Sequence, residues 1–227
     1  MNKHQNSSIL IMACGDNAQA ICEEINKNYA DIEEVAIEVA SSNINHTAKL
    51  VIFVGSTDNM NICKSNLQTN CIDLSDDKIS HLVNIENDIN IVRKRILDGI
   101  LAPYLDSIIP LEISEIINLL CGSQGLHIGM SHFNIIVDSG TLINNAIASS
   151  EADISKCNGV YLSVSGDVDM IRGNEIANQL QEAVGEDKYI VWSILYNDTV
   201  ENECTVIIVF TESGCEENMN KLYSRRN

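Results

Sequence analysis

The chain has 227 residues, 45% of them hydrophobic, enough to build one large domain or two small ones around a real core. Its 32 acidic residues against 14 basic ones give a formal net charge of −18. Such a charge opposes phosphate backbones and anionic lipid, so neither nucleic acid nor a direct membrane contact is an expected partner.

The first apolar run, Ile9 to Ala13, is too short for a signal sequence, and nowhere do eighteen apolar residues run together. A soluble, cytoplasmic protein is expected. The run SILIMAC (8–14), closed by Gly15 and Asp16, reads as a buried strand feeding a helix over Asn17 to Tyr29. Glu34 to Ala40 and Leu50 to Val54 are the next strands. The second, LVIFV, is wholly apolar and so buried on both faces, which suggests a mostly parallel sheet in an α/β layer. Cys71 to Leu74 and His81 to Ile85 are weaker strand candidates.

From Asn87 to Leu105, apolar residues at Ile89, Val92, Ile96, Ile100 and Leu101 follow the period of one long amphipathic helix, with Arg93, Lys94 and Arg95 assigned to its solvated face. Gly99 and Pro103 weaken its end, and the helix joins two halves. Pro110 reads as the first position of a further helix that carries Glu112 and Glu115 three apart on one face of its first turn. The helix dipole alone accounts for acids there. A strand through Leu126 and Ile128, a helix over Ser139 to Ser149, a strand over Gly159 to Ser165 and a helix over Ile171 to Val184 follow. The strands Tyr189 to Tyr196 and Cys204 to Thr211 are then expected to form an antiparallel hairpin. The tail from Ser213 is polar.

The eight cysteines (14, 22, 63, 71, 121, 157, 204 and 215) include no CxxC pair, so no structural metal is expected and the thiols read as buried, reduced side chains. Of His127 and His132, set on opposite faces of a strand, one reads as a core histidine. Tyr189 and Trp192 read as sheet residues.

The stretch from SKCNGVYLSVSG through NEIANQLQEAV to TVIIVFTES resembles the C-terminal domain of the FtsZ/tubulin family, and GLHIGMS is similar to the strand that family writes ALMGIG. The resemblance covers about Asn87 to Ser213. It implies a truncated Rossmann-like parallel-sheet domain (1–86), a long central helix (87–106), a C-terminal α+β two-layer sandwich (107–213) and a short polar tail (214–227). The family's NxDxxD pattern, whose acids reach the nucleotide of the next subunit in a filament, falls on Pro110 to Glu115, with Glu112 and Glu115 in the aspartate places. The resemblance therefore makes Glu112 and Glu115 a catalytic pair acting in trans. Glutamate sets the carboxylate roughly an ångström farther out, a displacement that can cost on the order of 10²-fold in rate.

Residues 13–19 are similar to the family's first phosphate loop, with Gly15, Asn17 and Ala18 in register and Asp16 at a glycine place. The glycine-rich signature is reduced to Gly55, Ser56 and Thr57, followed by Asp58. Asn90 falls near the guanine-reading aspartate. These eight residues, Gly15, Asp16, Asn17, Ala18, Gly55, Ser56, Thr57 and Asn90, are the implied nucleotide-binding set, with GTP or GDP and Mg as the implied ligands. Three readings stay open. One is a degenerate cytoskeletal subunit that self-assembles, or that caps or co-assembles with a full-length FtsZ-like partner in prokaryotic cell division. The second is a reduced GTPase working across a subunit interface, and the third is a small-ligand module on the same fold. The tail has no clear match to the peptide that tethers FtsZ to membrane adaptors.

Overall fold

In the computed structural model the described residues are 8–40, 48–57, 60, 70–120, 125–196 and 201–212. Asp58, Cys63, Cys121, Cys215, most of the segment between the last two strands and the tail from Ser213 lie outside them. The chain divides into two compact units, Met1–Ser80 and His81–Asn227.

In the first unit four strands, β1 (Ile9–Cys14), β2 (Val35–Val39), β3 (Leu50–Gly55) and β4 (Asn70–Ser75), form one sheet in the order β2-β1-β3-β4. Every pairing in it is parallel. The two central strands are the two apolar runs of the sequence, and every residue in both is buried, as strands covered on both faces require. Helix α1 (Ala18–Tyr29) places Ala18, Ile21, Cys22, Ile25 and Tyr29 on one stripe, which packs against β1 and β2. Leu10, Met12, Val51 and Phe53 form a core with Ala36, Ala48 and Met60. After β4 comes a single turn of helix, α2 (Asp76–Ile79).

The expected strand over 81–85 is not one. Residues 80–82 form a 3-10 turn and α3 (Val83–Glu86) follows it. Asn87, at φ +58°, closes that turn, and Asp88 caps the next helix by accepting a hydrogen bond from the Asn90 N–H. The apolar residues Leu82, Val83 and Ile85 do not alternate strictly, and the Asn87–Asp88 pair offers cap chemistry that a strand cannot use.

The long helix is also shorter than expected, α4 running only over Ile89–Ile100 before a 3-10 turn at Ala102–Tyr104. A carbonyl at Gly99 would bond the N–H of residue 103, and Pro103 has none. The buried Tyr161 hydroxyl donates to the Gly99 carbonyl instead, at 2.6 Å, and lies 2.8 Å from Ser193 Oγ. Nor do the three basic residues share a solvated face, since successive positions turn by 100°. Arg93 is buried and donates to Asn90 Oδ1 at 2.6 Å; Arg95 pairs with Glu86 at 2.5 Å; Lys94 reaches out to Asp98.

The second sheet contains β5 (Leu126–Asn134), β6 (Cys157–Gly166), β7 (Tyr189–Tyr196) and β8 (Glu203–Glu212) in the order β5-β8-β6-β7. The expected hairpin of the last two strands is therefore absent: β8 pairs antiparallel with β5 and β6, while β7 pairs parallel with β6. A connection of a few residues can step over one strand, and eight of the ten residues of β8 are buried because it is a central strand rather than a hairpin arm. Helices α6 (Ser139–Ser149) and α7 (Met170–Val184) pack on each other and enclose a core with Val160, Leu162, Val164, Val206, Ile208 and Phe210. Residues of the opposite sheet face meet α4 and α5 (Ile113–Leu120), as Tyr161 does at Gly99 and Gly159 does at Leu119. At Gly129 an added Cβ would stand 1.9 Å from the Ala146 carbonyl, so α6 can lie this close to β5 only over a glycine.

Neither histidine of β5 is a core residue. His127 contacts Glu212 at 3.1 Å, and His132 lies 2.9 Å from Thr205 Oγ1 and 3.5 Å from Glu203. Cys14, Cys22, Cys157 and Cys204 are buried and Cys71 is half-buried. Desolvation pushes the Cys204 thiol up to about 11, which keeps it protonated and unreactive. Trp192 and Tyr189 both stand in β7.

Candidate functional site

In the first sheet the chain leaves β1 for β2 on one side and β3 for β4 on the other, so the strand order reverses between β1 and β3. Open parallel sheets bind ligands beyond the carboxyl ends of the strands at such a point. Gly15 and Gly55 sit there, at φ +88° and +92°, conformations that glycine adopts without steric cost. Cys14 and Gly55 are partners in the β1–β3 register, and a Cβ on Gly15 would stand 2.7 Å from that of Ser56. Six of the eight residues assigned to nucleotide from sequence thus cluster at two adjoining turns: Gly15, Asp16 and Asn17 with the first helical residue Ala18, and Gly55 with Ser56. Thr57 follows and donates to Asp77 at 3.2 Å.

Helix α1 begins here with Asn17 at its cap position, no side-chain cap bond and no acid inside its first turn, which leaves a partial positive charge at the crevice. Opposing it, Asp16 is exposed at the same turn, and Asp76 and Asp77 follow β4 directly. Sequence reading missed the second pair, although Ser-Asp-Asp after an apolar run is a helix-start signal. Gly15 and Gly55 are the only glycines in the first 98 residues, so few backbone N–H groups can be brought against a phosphate. Asn90, in the second unit, is the second residue of α4, and its Oδ1 is taken by Arg93.

Glu112 and Glu115 are arranged otherwise than the sequence suggests. Pro110 is not the first helical residue: an isolated bridge at Ser107 ties the chain to the end of β7, with Ile108 N–H to the Ile194 carbonyl at 2.9 Å and Tyr196 N–H to the Asp106 carbonyl at 3.2 Å. Helix α5 starts only at Ile113. Glu112 takes the cap position, and the Glu115 carboxylate folds back to accept from the Glu112 N–H at 3.2 Å, half of a capping box. Glu112 in turn accepts from the Ser114 hydroxyl at 3.1 Å. The two acids therefore do not project together off the helix; Glu115 is turned inward along the chain while Glu112 stays exposed. Among the described residues no group of three or more His, Cys, Asp or Glu is placed to hold a metal, and no helix is long and apolar enough to cross a membrane.

No family model and no curated protein matches the sequence. Solved structures do match. The empty FtsZ dimer of M. jannaschii superposes with a TM-score of 0.66 at 12% identity, over 90% of this chain and 88% of that one. The chain has an FtsZ-like fold. A tryptophan-to-tyrosine mutant of M. jannaschii FtsZ gives a TM-score of 0.59, also at 12% identity, over 91% of this chain but only 65% of the FtsZ chain. At that identity the likeness shows the fold alone, and the FtsZ-like architecture was foreseen from the residues of the second half.

Proposed function

We propose that the chain is an assembly protein on the FtsZ-like fold that self-associates, or caps or co-assembles with a full-length FtsZ-like partner, and that its own nucleotide pocket is largely lost. The observation that carries this reading is the crevice at β1 and β3. Two glycines stand where a phosphate cradle needs several, and Asp16, Asp76 and Asp77 put negative charge around it. A single helix N-terminus contributes about 0.3–1 kcal/mol toward an anion, less than such carboxylates oppose. What remains FtsZ-like is the scaffold, including the segment 106–120 that in the resemblance meets a neighbour's nucleotide.

In this reading Glu112 is the exposed acid that would face the nucleotide of a partner subunit, and Glu115 positions it through the cap. The test is sedimentation of the purified protein alone and with a full-length FtsZ, with and without GTP. Altered FtsZ pelleting or ordered oligomers of the chain itself support the assignment; a monomer that leaves FtsZ assembly untouched removes it.

The open first turn of α1 beside Gly15 and Gly55 favours one second reading, a reduced GTPase that keeps GTP or GDP, with Mg offsetting the acids, and hydrolyses it across an interface. Equilibrium binding of a fluorescent GTP analogue, competed by GDP and by ATP, separates the two: guanine-selective micromolar binding supports the GTPase, and no binding at millimolar concentration rejects it.

A further inference from the structure

At the end of the second sheet where β5 and β6 finish, four large apolar side chains face solvent. Ile136 is 87% exposed and Ile171 71%, with Phe133 and Met170 beside them in the chain. Local bonds hold the two segments that carry them, the end of β5 with the turn after it and the first turn of α7. The Arg172 guanidinium donates to the Val137 carbonyl, which ties the two segments together one residue from each isoleucine. Ile135 N–H donates to the Asn202 carbonyl and Asp167 N–H to the Glu203 carbonyl, so the turn after β5 and the turn before α7 are both anchored at the start of β8. Isolated exposed apolar residues are ordinary, but two highly exposed isoleucines on segments tied to each other are not.

From Arg172 a groove of about 440 Å³ runs between α6 and α7, lined by Asp138, Ser139, Glu175, Gln179 and Glu182 among others. Glu175, Gln179 and Glu182 recur at helical spacing and form one stripe of α7. Three carboxylates face one guanidinium, and that guanidinium is already shared between Val137 and Glu175. Ser139 is buried at the head of the groove, and its hydroxyl has no partner. Hydrogen bonds from Thr141 hold the Asp138 carboxyl below its usual range, so it stays ionised at neutral pH.

We propose that this surface docks an amphipathic segment of a partner protein, its apolar residues covering Ile136 and Ile171 and its lysines or arginines lying along Asp138, Glu175 and Glu182. The charge argues against a second copy as occupant, since a chain of net charge −18 brings more acid to an acidic rim. The inference does not rest on the assembly reading above, because neither the crevice at β1 nor the segment 106–120 takes part in it.

The test is fluorescence anisotropy on the full chain with a labelled helical peptide of about 14 residues built from leucine and lysine. A leucine–glutamate peptide and a serine–lysine peptide serve as controls. The leucine–lysine peptide is expected to bind and the other two to fail. The double variant Ile136→Ser/Ile171→Ser, exposed and so neutral to folding, is expected to weaken binding at least about tenfold. Glu175→Gln/Glu182→Gln is expected to weaken it and flatten its salt dependence, whereas Glu23→Gln/Glu24→Gln on α1 leaves it unchanged. Equal binding of the serine–lysine peptide, or an equal effect of the α1 variant, reduces the result to bulk charge and overturns the proposal. Loss of self-association in the isoleucine variant, with no peptide bound by wild type, makes the surface a self-contact and overturns it as well.

Discussion

Tyr161 carries the polar seam between α4 and the second sheet, and its position explains why a sequence-based helix ended early. Its ring is buried, and burial pushes its hydroxyl above the ordinary tyrosine range, so it stays neutral and donates to the Gly99 carbonyl that Pro103 cannot satisfy. Tyr161→Phe keeps the ring and removes the donor. It is expected to cost about 1–3 kcal/mol, read as a lower urea midpoint at unchanged slope. The pH sign follows from the raised value. Below about pH 10 both folded and unfolded tyrosine are neutral, and above it only the unfolded side chain ionises, so stability contributed by this group falls as pH rises. Wild type is therefore expected to lose stability above about pH 10 more steeply than Tyr161→Phe, measured by urea midpoints across that range. Gly99 and Pro103 were legible as helix-weakening residues. The tyrosine 62 positions away that completes them was not, because nothing local in a sequence names a distant donor.

At the scale of elements, the apolar runs ILIMAC and LVIFV identified the two central strands of the first sheet, since full burial on both faces leaves no polar position to alternate. The same signal could not say which strand lies next to which. CTVIIVF is as apolar as LVIFV, and that fact is satisfied equally by a hairpin with β7 or by the central place between β5 and β6 that β8 occupies. The start of α5 failed for a related reason. Pro110 is compatible with a first helical residue, but the bridge of Ser107 to the end of β7 directs the chain there, and a cap forms only at Glu112. Removing that cap separates structure from chemistry. Glu115→Ala is expected to destabilise by about 0.5–2 kcal/mol, measured by thermal melting, while Glu112→Gln keeps the backbone N–H donor of the cap and leaves the melting point nearly unchanged. In a co-assembly assay with full-length FtsZ, Glu112→Gln is then the variant expected to change GTP turnover. The α6–β5 contact is stricter: Gly129→Ala drives a Cβ into the Ala146 carbonyl and is expected to cost about 1–3 kcal/mol or more, seen in the same melt.

For the whole molecule, charge decides how any self-assembly must behave. The excess of 18 negative charges is spread over both units: Asp16, Asp76 and Asp77 edge the crevice of the first, and Asp138, Asp167, Asp169 and Glu203 cluster at one end of the second sheet. The candidate crevice was legible from Gly15, Asn17 and Gly55, whose backbone demands show in residue type. Its electrostatics were not, because Asp77 reaches Thr57 only through the β3–β4 pairing. Repulsion between copies falls off within a Debye length, about 30 Å at 0.01 M salt and about 8 Å at 0.15 M. Self-association held by apolar and backbone contacts is therefore expected to strengthen as sodium chloride rises from about 20 to 300 mM, and more sharply per mole with magnesium, whose double charge screens more strongly. Sedimentation velocity across that series measures it directly. Dissociation with added salt would instead mean that complementary charges hold the copies together. Lys94 and Arg95 would then be the residues to mutate, because they are the exposed or half-exposed members of the chain's one basic cluster.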